Sequence, residues 1–383
     1  MSGFNEASEG DFDRLFFTDD ELFTQFVGSM LFACGYNNAG RLGDGTTTNR
    51  SSLVMVVGGG TNWKQVACGS HTAAIKTDGT LWTWGAGFAG SLGNDTTTNG
   101  SSPGTTAGGG TNWRQVACGS SNTAAIKTDG TLWVCGYNQF GKLGDGTTTS
   151  RLSLVTTAGG GTNWKQVSCG RSHTAAIKTD GTLWTWGRDH YGQLGIGVQT
   201  SRSSPGTTVG GGTNWRQVSA GGRHTAAVKT DGTLWTWGTN LEGQLGEVAG
   251  NRSSPATTAG GGTTWKQVAC GYNHTAAVKT DGTLWTWGQG QFGRIGDGTV
   301  TNRSSPVTTA GGGTNWKQVT GGTLHTAAIK TDGTLWTWGH NQYGNLGDGT
   351  VTNRSSPVIT VGERIDWRQV ACGDGHTAST QYN

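Results

Sequence analysis

One tetrapeptide governs what this chain can fold into. Trp63-Lys64-Gln65-Val66 returns as Trp113-Arg114-Gln115-Val116 and again at Trp164, Trp215, Trp265, Trp316 and Trp367, seven copies at a period of 50 or 51 residues. Within each period, short apolar stretches are separated by Gly and Asp-Gly turns. A unit of that length and punctuation is one small antiparallel sheet, which cannot bury both of its faces alone and so stacks on its neighbours. The 70 glycines among 383 residues would point to disorder if they were scattered. They stand instead at fixed places in the period, with Trp, Val, Ile and Leu between them, which is the pattern of turn-rich β structure.

The third copy shows how one unit is expected to fold. Residues 164–169 and 173–178 read as strands, Asp180-Gly181 as a tight hairpin turn, residues 182–186 as a third strand and residues 206–209 as a fourth. Alternation places Trp184 and Trp186 on the same face of the sheet. Antiparallel order puts the first-to-second and third-to-fourth connections on one face of a ring, the top. The Asp-Gly turns and the Gly-Gly-Gly-Thr-Asn links then lie on the bottom. The last copy stops after two strands, at Gln381-Tyr382-Asn383, while Leu31-Phe32-Ala33-Cys34-Gly35 stands for the Leu-Trp-Thr-Trp-Gly of the other copies and residues 53–57 can supply a fourth strand. The expected fold is all-β: a closed seven-bladed β-propeller of four-stranded antiparallel blades over residues 31–383. Its closing blade is shared by the two chain ends, which removes exposed sheet edges.

The segments Trp-Lys-Gln-Val-Ala-Cys-Gly, His-Thr-Ala-Ala, Asp-Gly-Thr-Leu-Trp-Thr-Trp-Gly and Gly-Gln-Leu-Gly resemble the regulator of chromosome condensation repeat family, and the likeness covers residues 31–383. It implies a seven-bladed propeller with a split closing blade. It does not imply one activity, since the family holds a nucleotide exchange factor for a small GTPase, an inhibitor of β-lactamases and many uniform bacterial and phage proteins. The copies here are nearly identical, and none carries a long insertion able to wedge into a GTPase. The style is that of the uniform bacterial and phage members, and exchange activity is not expected.

Repeated residues are read first as frame. Cys68, Cys118, Cys169, Cys270 and Cys372 share a position that Ala220 and Gly321 fill in the other copies, and Cys34 and Cys135 replace a Trp, so all seven are expected to be buried free thiols. His71, His173, His224, His274, His325 and His376 share a position with Asn122. They are expected to be structural, bonded to loop backbone, with no metal. The 18 tryptophans fall at three repeat positions and are expected to pack between blades, with weak surface glycan contacts open only to any left exposed. No Gly-x-Ser-x-Gly, Gly-Lys-Ser/Thr or His-Glu-x-x-His motif occurs, so no catalytic residues and no cofactor are assigned and the chain is not expected to be an enzyme. No apolar run of about 18 residues and no secretory leader is seen, which leads to an expected cytoplasmic or virion location without membrane insertion.

Charge and variation point elsewhere. The first 30 residues hold seven acids and one base, and the remainder carries a net +9 out of +3 overall. Nineteen of its 26 bases form three rings: after the first Trp, before Thr-Asp-Gly, and in the long connection at Arg50, Arg151, Arg202, Arg252, Arg303 and Arg354. They read as a solvated rim or a dock for an acidic partner. Acids alternate with them, so nucleic acid is not expected. The top connections differ between copies while the bottom turns barely change. Arg171, Arg188, His190, Tyr191, Arg223 and Tyr272 fall on one top sector of blades three to five, a composition rich in binding hot spots.

Residues 1–30 have their own vocabulary. Thr18-Asp19-Asp20-Glu21 fits a capping box, a short helix is expected near residues 19–28, and Phe12, Phe16, Phe17, Phe23 and Phe26 are candidate attachment residues. The sequence reading is of a non-enzymatic propeller that binds protein partners in a multi-subunit assembly such as a phage virion or an adhesive surface structure, with top loops for recognition and the N-terminal segment for attachment. The alternative is a stand-alone protein-binding regulator or inhibitor.

Overall fold

The computed structural model describes residues 28–58, 60–259, 261–362 and 364–382. They form seven four-stranded antiparallel sheets arranged as a ring. In blade three the strands are Trp164–Cys169, His173–Lys178, Leu183–Gly187 and Arg202–Thr207, from the axis outwards. Blades one, two, four, five and six repeat this from Trp63, Trp113, Trp215, Trp265 and Trp316. The seventh blade joins the chain ends: Trp367–Cys372 and His376–Tyr382 lie inside, Ser29–Gly35 and Arg50–Met55 outside, with Ser29 paired to Tyr382. The seven-bladed, split-blade architecture read from the sequence is the one observed.

Two details differ. The outer strands begin earlier than residues 206–209 and 53–57, at Arg202 and Arg50. Gly187 pairs with Arg202 and Trp184 with Thr207, with an irregularity between. This Arg-Ser-Ser-Pro stretch is an edge strand with no apolar alternation, and its proline removes a donor where no further strand needs one. The short helix expected near residues 19–28 falls, apart from Gly28, outside the described residues. No α-helix occurs among those described, and none is long and apolar enough to cross a membrane.

The inner strands are cross-linked by a glutamine. Trp63 pairs with Lys76, but Gln65 pairs with Ile75, and this bulge buries Gln65 and Val66 together. The Gln65 amide then meets the main chain of the next blade: Nε2 donates to the Val116 carbonyl at 3.2 Å and Oε1 accepts from Val116 N at 2.9 Å. The step recurs around the ring and closes where Gln369 Oε1 accepts from Val66 N at 2.9 Å.

Between these polar steps lie apolar wedges. Trp164, Val167, Ala176 and Trp186 of blade three pack on Ala124, Ile126, Leu132 and Val134 of blade two, and equivalent clusters fill every other gap. Every tryptophan is buried or half-buried, so no exposed indole is left for a glycan. The lysines before Thr-Asp-Gly are also frame rather than free rim. Lys178 Nζ lies 4.8 Å and 4.1 Å from the Trp164 and Trp184 rings, an arrangement repeated in blades one to six. Five of the six long-connection arginines bond a carboxylate of their own loop, as Arg151 does Asp145 at 2.6 Å.

The histidines hold neighbouring blades rather than loop backbone. His173 Nε2 meets Thr225 Oγ1 of the next blade at 2.8 Å, and the same contact joins His71, His224, His274, His325 and His376 to a threonine one blade on. Thr225 Oγ1 itself donates to the Gln193 carbonyl at 2.8 Å. A hydroxyl that has donated its only hydrogen must accept from the ring, so Nε2 carries a proton, and burial keeps the imidazole neutral. Complete burial drives His71, His173, His224 and His325 down to about 3, and His274 and His376 well below the ordinary value. The ring of contacts breaks once. Asn122 is too short to reach Thr174, and its amide N and O are buried without partners.

Two outcomes follow from this ring. Asn122→His restores the seventh contact and relieves two buried polar groups; it should stabilise by about 1 kcal/mol, read as a higher thermal midpoint, whereas His173→Asn should lower it. The histidines have folded values below their unfolded one. The unfolded chain therefore binds more protons once the pH drops below about 6.5, and stability falls with acid through that window towards pH 3. Thermal midpoints measured from pH 7 to 5 should decline with a linkage approaching six protons, and Asn122→His should add a seventh.

Candidate binding site

The top of the ring is built by two kinds of segment. One is the connection between the inner two strands, at Arg171-Ser172, Gly222-Arg223 and Tyr272-Asn273. The other is the start of the long connection after each Trp-Gly, at Tyr137 to Lys142 and Arg188 to Gln193. Aromatic residues of the second kind pack across blade boundaries onto the next blade. The Arg188 guanidinium lies 4.7 Å over Phe140, and Phe88 is 5.6 Å from Tyr137.

These segments enclose a cavity of about 400 Å³ lined by Phe88 of blade one, Tyr137, Phe140 and Lys142 of blade two, Arg171, Arg188 and Tyr191 of blade three, and Arg223 of blade four. Four of the six residues singled out from sequence, Arg171, Arg188, Tyr191 and Arg223, are thus brought together. Tyr272 reaches the group from the side: its ring is 5.1 Å from the Arg171 guanidinium, which also donates to its hydroxyl. Gly222 lies between them, and a Cβ there would stand 2.5 Å from the Tyr272 carbonyl and 2.9 Å from its ring. His190 is exposed and stacks edge-on against Tyr191 at 4.8 Å without lining the cavity. Phe12, Phe16, Phe17, Phe23 and Phe26 lie outside the described residues.

Sequence reasoning missed Phe88, Tyr137, Phe140 and Lys142. The aromatic residues were visible in loops that vary between copies. Lys142 occupies the variable position of Gly-x-Leu-Gly, and its signal was a cation, shared only with Arg41 and Arg294, where the other copies have Ser, Gln or Asn. Its side chain runs inward, is almost wholly buried, and donates from Nζ to the Arg171 carbonyl at 3.1 Å. Burial lowers its affinity for protons to about 8. Arg223 Nη1 donates to the Tyr191 hydroxyl at 3.2 Å with its guanidinium 5.0 Å from that ring.

Blade three is irregular beneath this surface. Ile196 stands where blades two, five, six and seven have an aspartate, so Arg202 turns to the Thr185 carbonyl at 2.9 Å. Asp189 replaces the usual asparagine. Its Oδ1 accepts from Leu194 N at 2.8 Å, its Oδ2 is buried without a partner, and burial raises it to about 6. A little nearer the axis a shallow hollow of about 90 Å³ is ringed by Cys68, Cys118, Cys169, Cys270 and Cys372 and shares Ser120 and Arg171 with the cavity. All seven cysteines are free, and among the described residues no three His, Cys, Asp or Glu side chains group as metal ligands.

Comparison with known proteins agrees with this geometry. The family model for the RCC1-like domain matches residues 23–259 and 109–382. The Ultraviolet-B receptor UVR8 of Arabidopsis thaliana is 34% identical over 364 residues, 93% of this chain and 72% of the receptor. The E3 ubiquitin-protein ligase HERC2 of Homo sapiens is 27% identical over 369 residues, 94% of this chain but only 7% of the ligase. Among solved structures, Prp20p from Saccharomyces cerevisiae superposes with a TM-score of 0.82 at 19% identity, covering 100% of this chain and 96% of that one. Human WBSCR16 superposes with a TM-score of 0.80 at 21% identity, covering 93% and 99%. The chain belongs to the RCC1-like domain family.

Proposed function

We propose that this chain is a non-catalytic, protein-binding regulator that recognises its partner through the top-face cavity. The observation that carries the reading is the gathering of unlike side chains around one concavity on a frame that otherwise repeats itself. Arginine and tyrosine, the side chains most often responsible for binding energy at interfaces, are prominent there. Rigid blades hold them, which lowers the entropy lost on association.

The relatives support the same class. UVR8 is named as a receptor, and in HERC2 the matching stretch is a small part of a ligase, so ligase chemistry is not carried over with it. The Prp20p structure is described with its binding to Gsp1p and histones, and another with Kap60 bound to it; at 19% and 17% identity these bear on the fold and not on this chain's partner. None of the relatives named is a virion or surface component, which favours the stand-alone regulator over the assembly part. Attachment through Phe12, Phe16, Phe17, Phe23 and Phe26 remains a separate proposal resting on sequence alone.

The test is cross-linking capture with the full chain. A partner taken by the wild type and by Lys317→Ala, an exposed bottom-face control, should be lost by about tenfold or more from Arg171→Glu/Tyr191→Ala. Retention by the top-face variant at wild-type level overturns the reading.

A further inference from the structure

The fate of the basic residues singles out the cavity. Six lysines are spent between indole rings and five arginines on carboxylates within their own loops. Lys142, Arg171, Arg188 and Arg223 are different. Among the described residues they line one concavity with no acidic residue in its wall, and none of the four is ion-paired with a carboxylate, although Asp374 of the axial hollow acts on Lys142 and Arg171 through its field. Their neighbours are the rings of Tyr137, Tyr272, Phe140 and Tyr191. A ring face orients a guanidinium without neutralising it, so the positive field is left directed into the opening. Lys142 carries the largest cost, since its ammonium is buried with the Arg171 carbonyl as its hydrogen-bond acceptor and, among the described residues, no carboxylate bonded to it, the field of Asp374 only partly offsetting burial.

Resting on the reading above, we infer that the cavity takes an acidic segment of the partner protein, with carboxylates meeting Lys142, Arg171, Arg188 and Arg223 and apolar side chains lying on Phe88, Tyr137 and Phe140. The volume suits one or two side chains, being at the low end of ligand cavities at ~300–1,000 Å³. The cations come from three blades, and Arg171 and Ser120 mark the border between the cavity and the axial hollow. A spread of anchors along a track fits an extended chain with several carboxylates better than one compact anion. Single-stranded nucleic acid also uses cations and aromatic rings, but needs a continuous basic groove. Here the positive charge stops at the cavity: Asp374 lies on the axial hollow, and Glu242 stands on the top loop of blade four.

The experiment is fluorescence anisotropy on the full chain with a labelled twelve-residue peptide alternating Asp or Glu with Leu or Phe. Controls are its Asn/Gln analogue, an oligo-dT strand and a peptide of residues 10–27 of this chain. The acidic peptide should bind, weaken as salt rises, and lose about tenfold in affinity with Lys142→Met, while the neutral analogue should not bind. Arg188→Gln, at a half-buried loop site whose ring contact is Phe140, should cost about threefold, with an unchanged thermal midpoint confirming that the fold is kept. Failure of the acidic peptide to bind, or equal binding by both variants, overturns the inference. Tighter binding of oligo-dT, or binding of only the 10–27 peptide, overturns it in favour of nucleic acid or of the chain itself as occupant. The face and its chemistry separate cleanly: if capture is lost in Arg171→Glu/Tyr191→Ala yet the acidic peptide does not bind, the docking face stands and the ligand class falls.

Discussion

The paired hydrogen bonds between a glutamine side chain and the main chain of the next inner strand set everything else. Each inner strand pairs with the second strand on its outer edge, and its axis-facing edge leaves main-chain groups without a strand partner. Gln65 and its equivalents in four further copies supply a donor and an acceptor to the Val of the neighbour, and Gln318 and Gln369 supply the acceptor, so every blade is set against the next in the same way. A repeated step of fixed angle closes only at one blade number, and closure at Gln369 and Val66 joins residues 303 apart. Because the chain ends meet inside one blade, opening the ring means peeling Ser29–Gly35 from His376–Tyr382, seven paired residues, before any blade can leave.

Given that frame, the sequence must satisfy its polar groups internally at every repeat. The devices recur: histidine on threonine in six blades, threonine on a carbonyl of the preceding blade in all seven, indole N–H on the same carbonyl in five and lysine on indole in six. The Lys142 carbonyl shows the economy, accepting from Thr174 at 2.8 Å and from Trp186 Nε1 at 2.9 Å. Such groups cannot vary without orphaning a partner in the next blade. The bottom turns are equally constrained: Gly79 has φ +78°, and a Cβ there would stand 2.1 Å from the Thr111 carbonyl. The top connections bond the next blade through their main chain, as Arg171 N does the Gly221 carbonyl at 3.2 Å, which leaves their side chains free to differ.

This division explains what was legible. Period, turn glycines and the half-copies at the ends reveal blade number and closure, because those depend on local chemistry repeated seven times. The bulge at Trp63-Lys64-Gln65 was not legible, since burying Gln65 and Val66 side by side breaks the alternation by which strands are read. The outer strand was hidden for a similar reason, as Arg-Ser-Ser-Pro is polar and carries a proline. At the site, Arg171, Arg188, Tyr191 and Arg223 were found because they vary where other positions do not. Lys142 was missed because Gly-x-Leu-Gly looks like frame, and only the fold shows that its x side chain runs inward beneath the neighbouring connection.

Departures from the repeat run through the three blades beneath the cavity, beside isolated ones elsewhere such as Phe292 at φ +63° and the unpartnered Arg294 Nη2 of blade five. Blade one has Gly100 where other copies have arginine, and its loop holds Ala89 and Asp95 at φ +55° and +64°, a region that non-glycine residues enter at a cost. Blade two has Asn122 in place of histidine with both amide atoms unpartnered, and blade three has Asp189 and Ile196 with a carboxylate oxygen unpartnered. Each is a local loss that the intact copies show to be avoidable. Stability ceded at one place on an otherwise consistent frame is the usual mark of a site shaped for something other than folding. The three irregular blades supply seven of the eight side chains named in the cavity wall, Arg223 being the exception. The cations of the cavity wall and the irregular loops of blades one to three therefore share one surface, carried on the strand frame common to all seven blades.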